Sequence, residues 1–242
     1  MSALAKDLSE VLARPDIWRG DRLVDAPIPG VPSGFASLDA HLSGGGWPRG
    51  ALIEVLLDGV GLGELSLLLP TLARIKEEGG WTLLVAPPHE PHAPAWAAAG
   101  VDLARLAVVS PVRPADTLWA MEQALLSGAP EAVLSWAEQI DPRQLRRLQV
   151  AAADGSALAF LFRPARAAQE SSVAPLRLRL SSGHEGALTI HILKRRGPPL
   201  HAPLHLILPR PARWRSHESS APLAGVGVSA SAAGSPRRSV VA

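Results

Sequence analysis

The sequence predicts an α/β fold, a mainly parallel sheet flanked by helices with antiparallel strands added at the C-terminal side. Three observations point to it. Residues 51–57 are an apolar run of the length a buried parallel strand needs. A Gly-rich loop at 58–63 follows, and then Leu65, Leu68, Leu69, Leu72 and Ile75 form the i, i+3, i+4, i+7 stripe of a helix that faces a sheet. Near the end, residues 176–180 and 188–193 alternate apolar with polar side chains, the period of half-exposed strands.

Taken in order, residues 2–14 can form a short amphipathic helix with Leu4, Leu8, Val11 and Leu12 on one side, stopped by Pro15. Residues 15–34 are rich in Pro and Gly and read as irregular. The strand at 51–57 and its helix follow, and Gly79-Gly80 ends that helix. Residues 81–86 are a second strand, followed by prolines and a short Ala-rich helix through Ala99. A third strand at 106–109 and a helix at 115–127, ended by Gly128, lead to a fourth strand at 132–136. Asp141-Pro142 starts the next helix, Asp as N-cap and Pro in the first turn. Residues 157–162 are a fifth strand, 163–174 turn polar, 182–186 are a hairpin turn, and 204–208 a last strand. The predicted organisation is an arm at 1–30, one domain at 31–215, and a disordered Ser/Ala/Gly/Pro tail at 216–242.

The strand, loop and helix at 51–69 have the frame of a phosphate-binding loop, but not its chemistry. Such a loop needs G-x-x-x-x-G-K-[ST], with backbone N–H groups on the phosphate, a Lys to neutralise it and a hydroxyl to bind magnesium. Counting back from Gly63, Asp58 stands at the first Gly position, and Gly59 and Gly61 fall between. Glu64 takes the place of Lys and Leu65 that of Ser/Thr. A carboxylate there repels a triphosphate, and Leu cannot ligate a metal. No Lys or Arg lies between Asp58 and Arg74. His89 and His92 flank Glu90, but no further ligand lies nearby and prolines interrupt the segment, so no metal site is expected.

The chain has 242 residues, 47% hydrophobic and 19% charged, with no cysteine, so disulfides and Cys-containing metal sites are excluded. No apolar run resembles a signal peptide or a membrane span, and a cytoplasmic protein is expected. Charge is lopsided. Residues 1–142 hold 9 Lys and Arg against 18 Asp and Glu, while residues 143–242 hold 15 against 4. The second half therefore either meets an anionic partner or presents a merely solvated basic face.

Several stretches carry a family resemblance. Pro32-Ser33-Gly34-Phe35-Ala36-Ser37-Leu38-Asp39, the segment 44–50 and Ala99-Gly100-Val101-Asp102-Leu103 resemble the ATPase core of RecA-type recombinases. Pro15-Asp16-Ile17-Trp18-Arg19-Gly20, 44–50, 63–70, Ala86-Pro87-Pro88-His89 and Ile192-Leu193-Lys194-Arg195-Arg196-Gly197 together resemble ImuA, a RecA-like accessory family of bacterial mutagenic translesion synthesis. That resemblance implies a degenerate RecA-like core and no cofactor. It also implies partners: an ImuB-type inactive polymerase homologue, RecA, an error-prone DNA polymerase and single-stranded DNA. Against the RecA pattern, Pro88 stands where a carboxylate activates water, and Trp136 where the fourth strand carries its metal-binding Asp.

Three readings follow. The first is a non-catalytic accessory protein of damage-induced translesion synthesis. The second is an active RecA-type ATPase, opposed by the lost Lys, hydroxyl, Glu and Asp, since phosphoryl transfer is largely positioning and electrostatics. The third is a division inhibitor of SulA type, a family with a similar degenerate fold, shorter and without the 44–50 segment. The candidate contacts for DNA or a partner are Arg143, Arg146, Arg147, Arg163, Arg166, Arg177, Arg179, Lys194, Arg195 and Arg196, with Arg177 and Arg179 on one open strand face.

Overall fold

The structure, a computed structural model, describes residues 29–59, 61–77 and 79–208. The expected helix at 2–14, the arm up to residue 28 and the tail at 216–242 lie outside the described residues. In chain order the elements are α1 (Ala36–Asp39), β1 (Leu52–Leu57), α2 (Glu64–Glu77), β2 (Trp81–Val85), α3 (Ala93–Ala98), β3 (Leu106–Val109), α4 (Pro114–Ser127), β4 (Pro130–Trp136), α5 (Pro142–Asp154), β5 (Leu158–Pro164), β6 (Leu176–Ser182), β7 (Leu188–Lys194) and β8 (Leu204–Leu206).

The strands form one eight-stranded sheet in the order β3-β2-β4-β5-β1-β6-β7-β8. Strands β1 to β6 pair in parallel, and β7 and β8 join antiparallel. The predicted class is the observed one. Because side chains alternate across a strand, β1 sends Ile53 and Val55 to one face and Leu52 to the other. The first face packs against α2 through Leu67, Leu68, Leu72 and Ile75. The second packs against α4 and α5 through Leu118, Met121, Leu125, Leu145 and Leu148.

Local chemistry sets the ends of these elements. Asp141 accepts from the backbone N–H groups of Arg143 (2.8 Å) and Gln144 (2.9 Å), and the Gln144 side chain accepts from Asp141 N–H (3.0 Å). This capping box satisfies donors that the first turn of α5 would leave unpaired. In α2 the predicted stripe is rotated at its N-terminal half. Leu67 and Thr71 are fully buried, while Leu65 and Leu69 are only partly so. The segment before β1 causes this. Trp47 donates from Nε1 to Thr71 Oγ1 (3.0 Å), and Thr71 donates in turn to Pro32 O (3.2 Å), so a residue outside the apolar stripe becomes core.

That segment is held by a two-way bridge. Val31 N–H donates to Trp47 O (2.8 Å), and Trp47 N–H donates to Val31 O (2.7 Å). The strands approach so closely at Gly46 that an added Cβ would lie 2.3 Å from Val31 O and 2.5 Å from its carbonyl carbon. Both atoms are backbone and cannot swing away. Gly46→Ala is therefore expected to destabilise by about 1–3 kcal/mol, the usual cost of overpacking, read as a lower urea midpoint. An unchanged midpoint would show that this bridge is absent in solution.

Candidate functional site: a strand-to-helix loop without phosphate chemistry

The loop at 58–63 leaves the carboxyl end of β1 and enters α2, at the end of a parallel sheet where ligands of such folds bind. The glycines serve the turn. Gly63 has φ 92°, in the left-handed region, and an added Cβ there would come 2.6 Å from Leu208 Cδ1. Leu208, just beyond β8, thus lies directly on the loop. Leu62, Leu65, Leu204 and Leu208 all pack against the same apolar cluster as Trp136.

Charges that could have faced a phosphate are turned to other uses. Asp58 accepts from Arg179 of β6, whose Nε lies 3.0 Å from both carboxylate oxygens and whose Nη2 lies 2.9 Å from Oδ1. Glu64 begins α2, and its Oε2 is buried with no hydrogen-bond partner among the described residues. At the end of β4, the Trp136 ring stacks on Phe162 with centroids 4.7 Å apart and planes 13° apart. An aromatic pair therefore stands where a metal-binding carboxylate would be required. Pro88 and Glu90 are both exposed beyond β2. His92 is the N-cap of α3, its Nδ1 accepting from Ala95 N–H (3.3 Å). Among the described residues no group of three or more His, Asp or Glu could hold a metal ion.

The predicted basic contacts do not form one surface. Arg163 and Arg177 are 3% and 7% exposed, so Arg177 is not on an open strand face. Both close on Glu54, which is fully buried in β1: Arg163 Nη1 to Oε1 at 2.8 Å and Arg177 Nε to Oε2 at 2.7 Å. Arg163 also reaches Glu170 Oε2 (2.7 Å), and Arg177 donates to the carbonyls of Ala167 (2.7 Å) and Glu170 (3.2 Å). The physical reason is the polar segment 163–174. It is not an open loop but folds over this face as a 3-10 turn, Ala165–Gln169, with Ala167 and Ala174 buried. Sequence reasoning missed this buried charge cluster. Its one early signal is Glu54, a carboxylate inside an apolar strand.

The other cations stay at the surface in separate places. Arg166 is exposed and donates to Glu138 O (3.5 Å). Lys194 donates to Ser172 O (2.9 Å), and Arg195 folds back on the carbonyls of Pro198 and His41, which leaves Arg196 projecting. Arg143, Arg146 and Arg147 are exposed on α5, and Arg147 pairs with Glu122 of α4. On α4 itself, Asp116 hydrogen-bonds the Arg113 guanidinium and attracts its charge, which raises the Arg113 pKa above the ordinary arginine value. Among the described residues no helix is long and apolar enough to cross a membrane.

Comparison with known proteins corrects the resemblance read from the sequence. A profile of the family described as "Cell division inhibitor SulA" matches residues 58–159, from the loop to the start of β5. Proteins named Cell division inhibitor SulA are similar to about half of the chain. That of Photorhabdus laumondii is 34% identical over 119 residues, 49% of this chain and 67% of the relative. That of Edwardsiella piscicida is 31% identical, covering 48% and 70%, and that of Klebsiella pneumoniae 32% identical, covering 52% and 76%. The resemblance to ImuA is overturned by these matches, and with it the translesion role and the partners it implied: the ImuB-type homologue, RecA, the error-prone polymerase and single-stranded DNA. The segment 44–50, which had weighed against a SulA-type protein, lies outside the residues that the profile matches. On these matches the chain belongs to the SulA family of cell division inhibitors.

Proposed function

We infer that this protein inhibits cell division by binding a component of the division machinery, without turning over nucleotide. The observation that supports it is that the family match spans the very region in which phosphate chemistry is replaced. There Asp58 is tied to Arg179, Glu64 stands at the lysine position with one carboxylate oxygen shielded from solvent, and Trp136 is stacked on Phe162. On this reading the protein works in the cytoplasm, and its synthesis rises with DNA damage. Controlled expression in a rod-shaped bacterium tests it. Cells should elongate into filaments while DNA content keeps rising. Normal division in the presence of folded protein would overturn the reading.

The same reading sets an expectation for the loop. Calorimetry with ATP and magnesium should give no binding, and Glu64→Lys alone should not create hydrolysis, because Pro88 and Trp136 remain where a water-activating and a metal-binding carboxylate are needed. Binding in the low micromolar range would refute the expectation that the loop holds no nucleotide.

A further inference from the structure

The outer faces of α4 and α5 carry side chains that the core does not use. Both helices connect parallel strands and run side by side. Between them lies a groove of about 510 Å³, lined by Glu122 and Leu126 of α4 and Arg143, Arg146, Arg147 and Val150 of α5. Leu126 is 53% exposed and Val150 52%, and Trp119, two turns before Leu126 on the same face of α4, is 60% exposed. Large apolar side chains scattered singly on a surface are ordinary. Here two line one groove and the third continues its α4 wall.

Charge selects what fits this groove. Arg147 is neutralised across it by Glu122. Among the described residues Arg143 and Arg146 make no ion pair. The Asp141 carboxylate is committed to capping α5. The groove thus has an apolar floor toward the carboxyl ends of the helices and two uncompensated guanidiniums toward their amino ends. α5 has 13 residues, about 20 Å at 1.5 Å per residue, which suits a helix of three to four turns.

We propose that the α4–α5 groove docks an acidic amphipathic helix of the division protein that this chain inhibits. Apolar side chains at i, i+3 or i+4, and i+7 of that helix lie along Leu126 and Val150, and its carboxylates meet Arg143 and Arg146. Complementary charge chiefly speeds encounter and excludes wrong partners, while the apolar contacts supply affinity. The identity of the partner rests on the functional reading above; the chemistry of the groove does not.

The test uses the full chain and two readouts. The first is binding of a synthetic helical peptide of about fourteen residues, Leu at helical spacing and Glu on both flanks, followed by fluorescence anisotropy at low and high salt. The second is cell length on expression. Arg143→Glu with Arg146→Glu should weaken peptide binding about tenfold or more and suppress filamentation, with an unchanged melting temperature. Trp119→Ala should weaken both. The same charge reversal at Arg74 and Lys76, on the helix of the opposite sheet face, should leave peptide binding unchanged. A basic version of the peptide should not bind. If the double variant binds the acidic peptide as the wild type does, or still filaments cells, the groove is not the docking site. Sedimentation as a dimer that these substitutions dissolve would also overturn the proposal, because the occupant would then be a second copy. If wild-type protein fails to filament cells, the division reading falls, and the peptide arm alone decides the groove.

Discussion

Replacing Glu54 by Ala should cost about 3–5 kcal/mol, the penalty for stranding buried charge that has lost its partner. Glu54 has no exposed surface and, among the described residues, is the only carboxylate that touches both Arg163 and Arg177. Glu170 contacts Arg163 as well, but its side chain is half exposed, so water screens part of that attraction. Without Glu54, Arg177 keeps two carbonyl acceptors and Arg163 keeps Glu170. Neither retains a buried counter-charge. With a total stability of about 5–15 kcal/mol for a typical domain, the variant should sit near the edge of folding at 37 °C. Urea titration followed by circular dichroism measures it.

A second variant separates two explanations of such a loss. If the cluster stabilises the fold outright, replacing all three charges should be at least as harmful as losing Glu54. If the loss comes from stranding, Glu54→Leu with Arg163→Met and Arg177→Met should recover much of it, because apolar packing of similar volume often equals or betters a buried ion pair. Recovery is the expected result. A loss below about 1 kcal/mol for Glu54→Ala would mean that water reaches the cluster and that the segment 163–174 does not seal it.

The fold was legible where periodicity and caps decide it. The apolar run at 51–57, the alternating runs before and after residue 182, Asp141-Pro142 and Gly128 all mark elements that form as expected. Burial was less legible. Alternation shows that Arg177 and Arg179 share a sheet face, and they do, but it cannot show that the segment at 165–170 will cover one and leave the other open. The Asp58–Arg179 pair joins residues 121 apart in the chain, and no local pattern encodes it. That Glu64 and Leu65 stand where a phosphate-binding loop needs a Lys and a hydroxyl is read directly from the sequence. Family membership is not, because short stretches such as 63–70 and 86–89 lie within the residues that the SulA profile matches and yet read as marks of another RecA-like family.

Trp47 gives that leading segment its own energetic weight. The side chain is fully buried, meets Phe160 of β5 edge to face at 5.3 Å, and donates to Thr71 of α2. One residue therefore fastens the segment before β1 to the sheet and to the helix after the loop. Trp47→Ala is expected to destabilise by about 3–5 kcal/mol, the range for deleting a buried aromatic. Trp47→Phe keeps most of the ring contact but removes the Nε1 donor. It leaves Thr71 Oγ1 still donating to Pro32 O, so no buried hydrogen is orphaned, and the expected cost is about 1–2 kcal/mol. The difference between the two variants isolates packing from hydrogen bonding. Hydrogen exchange locates the effect. In Trp47→Ala the amides of Gly30, Val31 and residue 47 should lose protection first, because their bonds run from this segment to itself. The amides of β4 and β5 should open only with global unfolding. Equal costs for Ala and Phe would mean that the hydrogen bond, not the ring, holds the segment in place.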